Sequence, residues 1–140
     1  MIHNWNTSIF FLAIMLITLS CTTAEKKDNA SENKTVVLEP QEFKSKLLST
    51  PDAVLIDVRT PEELSDGIIQ GAVNIDFKDP QFTEKISALD KEKPYFVYCL
   101  SGKRSGDAVK QMEGAGFKDI YTLKDGIQHW LDEGLETAKP

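Results

Sequence analysis

Between Val36 and Glu133 this chain alternates five short β-rich runs with helical stretches, and no other feature narrows its possible folds as far. Val36–Leu38 is a short apolar run. Pro40 suits the first turn of a helix, in which Phe43, Leu47 and Leu48 recur at helical spacing up to Ser49. Ala53–Val58 is almost continuously apolar, as a strand covered on both faces must be. Thr60 followed by Pro61 and by Glu63 three residues on predicts a capped helix start that ends at Gly67. Ala72–Ile75 is a third strand, Phe82, Ile86 and Leu89 mark a helix, and Tyr95–Cys99 is a fourth strand. Ser105–Ala115 is helical with Val109 and Met112 inward, and Gly116 stops it. Ile120–Leu123 is the fifth strand, and Gly126–Glu133 a last helix carrying Ile127, Trp130 and Leu131. Strand-helix alternation of this kind predicts an α/β domain: a mainly parallel five-stranded sheet flanked by helices on both faces.

Chemistry concentrates where the fourth strand ends. Cys99 is followed by Leu100, Ser101, Gly102, Lys103 and Arg104, and a helix is expected to open near Ser105. Ligands of open α/β sheets bind outside the carboxyl ends of strands. A strand-loop-helix junction turns successive amides inward as an anion-binding nest, and the helix dipole points its positive end at the same spot. Gly102 permits the positive φ of so tight a turn. With two cations alongside, these features favour thiolate over thiol, so Cys99 is a nucleophile candidate that needs no histidine base. His129, the single histidine of the folded part, is read as structural. Asp57, Arg59 and Glu63 are read as an ion-pair and hydrogen-bond set supporting the pocket rather than as catalysts.

Three segments carry a family resemblance. CLSGKRS, Cys99 to Ser105, resembles the active-site loop of the rhodanese (sulfurtransferase) family, with Gly102, Arg104 and Ser105 matching and Leu100 where that family commonly has Arg. DVRTPEELSDGIIQGAVNI, Asp57 to Ile75, resembles the family's upstream signature at Asp57, Arg59, Glu63, Gly67, Ile69, Gly71, Ala72 and Asn74. LKDGIQHWLDEGL resembles its closing helix at Gly126 and Trp130. The resemblance implies a rhodanese-like domain over 36–137. It also implies that the Cys99 thiolate takes the outer sulfur of a donor such as thiosulfate as a persulfide and passes it to a thiol or cyanide. In that cycle the 100–105 loop binds substrate. Lys103 is suited to the donor's sulfonate oxygens, and Arg104 either to the same task or, as we favour, to bracing the loop through a carboxylate.

Two other activities compete. Phosphatases and arsenate reductases of the related type use Cys-x5-Arg, a cradle wide enough for a tetrahedral oxyanion. Here four residues separate Cys99 from Arg104, and the smaller ring of amides suits a single sulfur atom. The alternative is a non-catalytic or persulfide-carrier module, for which the apolar Leu100 at the pocket mouth favours a protein or apolar acceptor. With no second cysteine in the folded part, the acceptor must come from outside.

The start of the chain addresses location. Ile9–Leu19 is apolar except for Thr18, too short to cross ~30 Å of hydrocarbon at ~1.5 Å per residue. It fits the core of a secretory signal peptide over residues 1–20. ITLSC resembles the lipobox of bacterial lipoproteins, which implies that Cys21 is lipidated; an ordinary cleaved signal or an uncleaved anchor are the other readings. Residues 21–35 are then a polar tether, whose 14 residues from Thr22 reach at most ~50 Å. The expected place is the bacterial cell envelope, lipid-anchored and facing the periplasm. Lys plus Arg total 16 against 22 Asp plus Glu, and this acidic balance argues against nucleic acid as a partner. Two cysteines with His3 and His129 cannot make a four-ligand zinc site, and no metal or organic cofactor is expected. The chain is expected to be a monomer.

Overall fold

Tyr95, Phe96, Val97 and Tyr98 are each at most 1% exposed, which requires a strand hydrogen-bonded on both edges and covered on both faces. The computed structural model describes residues 34–140; the expected leader, Cys21 and the expected tether before Lys34 lie outside them. In chain order the elements are β1 (Lys34–Leu38), α1 (Pro40–Ser49), β2 (Val54–Asp57), a 3-10 helix (Pro61–Asp66) and β3 (Val73–Asn74). They continue as α2 (Phe82–Ser87), β4 (Pro94–Tyr98), α3 (Lys103–Gly114), β5 (Asp119–Leu123) and α4 (Gly126–Asp132). The strands lie in the order β1-β5-β4-β2-β3, and every neighbouring pair is parallel. The sheet is therefore wholly parallel, with β4 at its centre.

Side chains alternate across a strand, so β4 feeds two cores. Tyr95 and Val97, with Cys99 in step behind them, pack beneath α2 and α3 with Phe82, Ile86, Val109 and Met112. Phe96 and Tyr98 pack on the other face with Phe43 of α1 and with Ile127 and Trp130 of α4. Aromatic edges set the layers: Phe43 meets Phe96 edge-on at 5.2 Å, and Tyr95 meets Phe117 at 5.0 Å. Where α3 ends, Gly116 takes φ 91°, its N–H donates to Glu113, and the Phe117 N–H reaches back to Met112.

Several boundaries differ from expectation. β1 starts at Lys34 rather than Val36, because β5 begins at Asp119 and gives Lys34 and Thr35 ladder partners; the last two residues assigned to the tether are thus strand. β3 is two residues long. α3 starts at Lys103, two residues before Ser105, because Gly102 makes its turn at φ 85° and its carbonyl already accepts from the Gly106 N–H. Leu48 and Leu131 are 79% and 44% exposed. Each sits one residue, about 100°, around its helix from the buried stripe set by Phe43 and Leu47 or by Ile127 and Trp130.

Candidate active site

Cys99 lies one residue past β4, where the ladder has run out. The Val58 N–H takes the Tyr98 carbonyl, and the Cys99 carbonyl turns instead to the Ile127 N–H of α4 at 2.8 Å. The period of two carries the Cys99 side chain to the α3 side. Cys99 is 1% exposed, so its sulfur forms the floor of the loop, with Leu100, Ser101 and Lys103 exposed above it. A sulfur among hydrocarbon alone has nothing to accept. Cys99 Sγ accepts from the Gly102 N–H at 3.2 Å and from the Ser105 hydroxyl at 3.5 Å. Both donors stabilise negative charge on sulfur. The expected ring of inward amides is represented at Sγ by the Gly102 amide, with the buried Ser105 hydroxyl beside it.

Lys103 and Arg104 occupy the first turn of α3, where the helix dipole disfavours cations and favours an anion. Both therefore add to the positive field over the loop, and they differ in what binds them. Arg104 grips Glu63 from the 3-10 helix, Nη1 to Oε2 at 2.6 Å and Nη2 to Oε1 at 2.7 Å. Glu63 Oε2 also accepts from the Thr60 N–H at 3.1 Å, so the helix-capping carboxylate predicted from the sequence doubles as the brace. Hydrogen bonds from Arg104 outweigh burial and hold the Glu63 carboxyl down, from 4.5 to about 2. Lys103 is exposed in the first turn of α3.

Arg59 links Asp57 to Glu63, although the Glu63 carboxylate itself belongs to Arg104. Asp57 and Arg59 make a buried ion pair, Nη2 to Oδ2 at 2.7 Å and Nε to both carboxylate oxygens at 3.0 Å. The rest of the Arg59 guanidinium donates to the Gly67 carbonyl at 2.7 Å and the Glu63 carbonyl at 3.2 Å. Arg59 thus fastens the backbone that carries Glu63, and Glu63 fastens Arg104. Asn74 steadies the same turn by donating to the Asp57 and Arg59 carbonyls at 2.9 and 2.8 Å. Below it the Tyr98 phenol, pushed up by burial, accepts from the Ile69 N–H at 3.1 Å.

Sequence reasoning missed how the far side of the loop is held. The Ile127 and Gln128 N–H groups, at the start of α4, hold the Cys99 and Leu100 carbonyls at 2.8 and 3.1 Å. The approach is so close that a Cβ on Gly126 would stand 2.5 Å from the Cys99 and Leu100 carbonyl oxygens. The sequence signal was the Asp125-Gly126 pair ahead of a short helix, which reads as a start and conceals a contact with position 99. His129 lies farther along α4 among Glu39, Asp125 and Glu133, at 3.6 to 3.9 Å.

A sulfur under two donors, in a loop braced from two sides, has the arrangement that nucleophilic chemistry requires. The profile of the family described as Rhodanese-like domain matches residues 39–133. A Bacillus subtilis protein, YtwF, named provisionally as a sulfurtransferase, is 38% identical over 91 residues, covering 65% of this chain and 85% of that one. A tRNA uridine(34) hydroxylase of Pelagibacter ubique is 32% identical over 114 residues, 81% of this chain but 35% of the larger protein. Among solved structures, a rhodanese-related protein of Thermoplasma volcanium aligns with a TM-score of 0.66 at 29% identity, over 74% of this chain and 98% of that chain.

Proposed function

Given that the chain belongs to the rhodanese-like domain family, with relatives named as sulfurtransferases, we propose that it moves a sulfane sulfur from a donor such as thiosulfate to a thiol or cyanide through a persulfide on Cys99. The observation that carries this reading is the Gly102 N–H aimed at Cys99 Sγ at 3.2 Å, in a site where the sulfur would otherwise be inert core. The Cys99 thiolate attacks the outer sulfur of thiosulfate, a sulfur-sulfur bond forms to Sγ, and sulfite leaves with the electron pair of the bond that breaks. The acceptor then attacks the terminal sulfur and Sγ departs as thiolate. Lys103 meets the donor's oxyanion, while Arg104, engaged with Glu63, keeps the loop in shape.

Exposed Leu100 favours a variation in which the acceptor is a protein thiol, with apolar contact at the mouth and slow turnover of small anions. The ITLSC segment adds a location: lipidated Cys21 holds the domain at the cell envelope, and loss of detergent-phase partitioning in Cys21→Ser tests it. Intact-protein mass after thiosulfate treatment tests the reaction. Wild type should gain the mass of one sulfur atom, cyanide should remove it, and Cys99→Ser should gain nothing. No gain on wild type, or an equal gain on Cys99→Ser, refutes the reading.

A further inference from the structure

Ser105 is fully buried at the third position of α3, and its hydroxyl has one proton and two acceptors. The Gly102 carbonyl lies at 3.1 Å and Cys99 Sγ at 3.5 Å. The Gly102 carbonyl also accepts from the Gly106 N–H at 3.0 Å, so it stays satisfied when the hydroxyl turns away. The hydroxyl is therefore free to follow charge. Resting on the persulfide reading above, we infer that Ser105 is a catalytic residue of the discharge half-reaction, its hydroxyl swinging from the Gly102 carbonyl to Cys99 Sγ as that sulfur becomes the leaving thiolate.

The charge on Sγ changes between the two half-reactions. In the persulfide, Sγ is a neutral divalent sulfur and a weak acceptor, so the proton belongs on the closer carbonyl oxygen. When an acceptor thiolate attacks the terminal sulfur, a new sulfur-sulfur bond forms and the Sγ bond breaks. Loading leaves the terminal sulfur as an anion, which takes a proton from water; on attack the electron pair of the broken bond stays on Sγ, and the acceptor carries away the terminal sulfur with that proton. Charge appears on Sγ, and the hydroxyl can then donate to it without transferring its proton. A bond absent before the step and present in its transition state accelerates that step. Loading runs the other way: the thiolate begins with the hydrogen bond and loses it as charge moves to the donor. Ser105 thus speeds discharge and gives loading no help.

The two half-reactions separate in single-turnover experiments, loading followed on the alkaline plateau of its rate profile and discharge at the maximum of its own, so that protonation fractions cancel. Loading uses thiosulfate, and discharge of the isolated persulfide uses a small thiol. In Ser105→Ala, discharge should slow by roughly tenfold, the scale of one hydrogen bond to a charged group, while loading keeps or exceeds the wild-type rate. Persulfide should accumulate on this variant at steady state. Ser105→Gly, a second hydroxyl-free variant, should behave alike, and Ser105→Thr should restore discharge to within about threefold of wild type. An equal fall in both steps, or no change in either, overturns the role of Ser105. A wild type that takes up no sulfur overturns the transfer reading itself and this inference with it.

Discussion

Arg104 and Glu63, 41 residues apart, face each other through two parallel hydrogen bonds of 2.6 and 2.7 Å, and this pair fixes the first turn of α3 against the 3-10 helix. A planar guanidinium makes such a fork; an ammonium keeps the charge and loses the geometry. Arg104→Lys should therefore fold and bind anions yet hold the loop loosely, and small displacements at a reacting centre are costly in rate. We expect the single-turnover rate of sulfur loading to fall roughly ten- to hundredfold, with little change in thiosulfate affinity. Stopped-flow sulfite release across thiosulfate concentrations separates the two.

The same pair sets an acid limit. Glu63 sits at about 2 in the fold against an ordinary 4.5. A depressed carboxyl contributes stability in full above its unfolded value and loses it as pH falls toward the folded one. The contribution is on the order of 2 kcal/mol after allowing for partial exposure. Wild type should thus be more stable than Glu63→Gln at pH 7. The gap should narrow from roughly pH 5 downward and close near pH 2. Melting temperatures of both proteins across that range measure it, and a gap independent of pH would rule out the pair as its source.

Gly126 faces the loop from the opposite side. It takes φ 66°, and an added Cβ would press on the backbone of Cys99 and Leu100, which has no rotamer with which to yield. Gly126→Ala should push the loop off α4, weaken the Ile127 and Gln128 bonds to its carbonyls, and cost about 2–4 kcal/mol. Activity should fall further than stability alone explains. Gly114→Ala, where nothing lies within 4 Å of the added carbon, is the control and should stay near wild type.

These relationships mark where sequence reading stops. Local patterns are sufficient for the strands: the apolar run at Ala53–Val58 tells that β2 is covered on both faces, and Gly102 and Gly116 both turn at positive φ. Thr60 and Glu63 announced their cap because capping is local. What spacing cannot record is which distant element meets which. Spacing groups Glu63 with Asp57 and Arg59 and does not tell that its carboxylate reaches Arg104. Arg59 turned to Asp57 and to backbone carbonyls. The contact between Gly126 and residues 99 and 100 is long-range in the same way. Leu48 and Leu131 show the converse: apolar type alone does not fix burial, because helical geometry puts each off the stripe.

Leu100 offers a change that should raise activity. Its carbonyl is fixed by the Gln128 N–H at 3.1 Å, while its side chain is 42% exposed at the loop mouth, so the side chain can be exchanged without moving the cradle. A cation there would add to the field of Lys103, and opposite charge at a cleft raises the capture of anions. Leu100→Arg should leave stability within about 0.5 kcal/mol and raise kcat/KM for thiosulfate roughly three- to tenfold at low ionic strength. Because exposed charges are screened within ~10 Å at 0.1 M salt, the advantage should shrink as salt is added. Thiocyanate formation with cyanide as acceptor, measured over a salt series for both proteins, reads the effect directly. If turnover rises and the salt dependence does not steepen, the gain has come from the shape of the mouth and not from its charge. With no rise at all, Lys103 and the loop amides already recruit the anion by themselves.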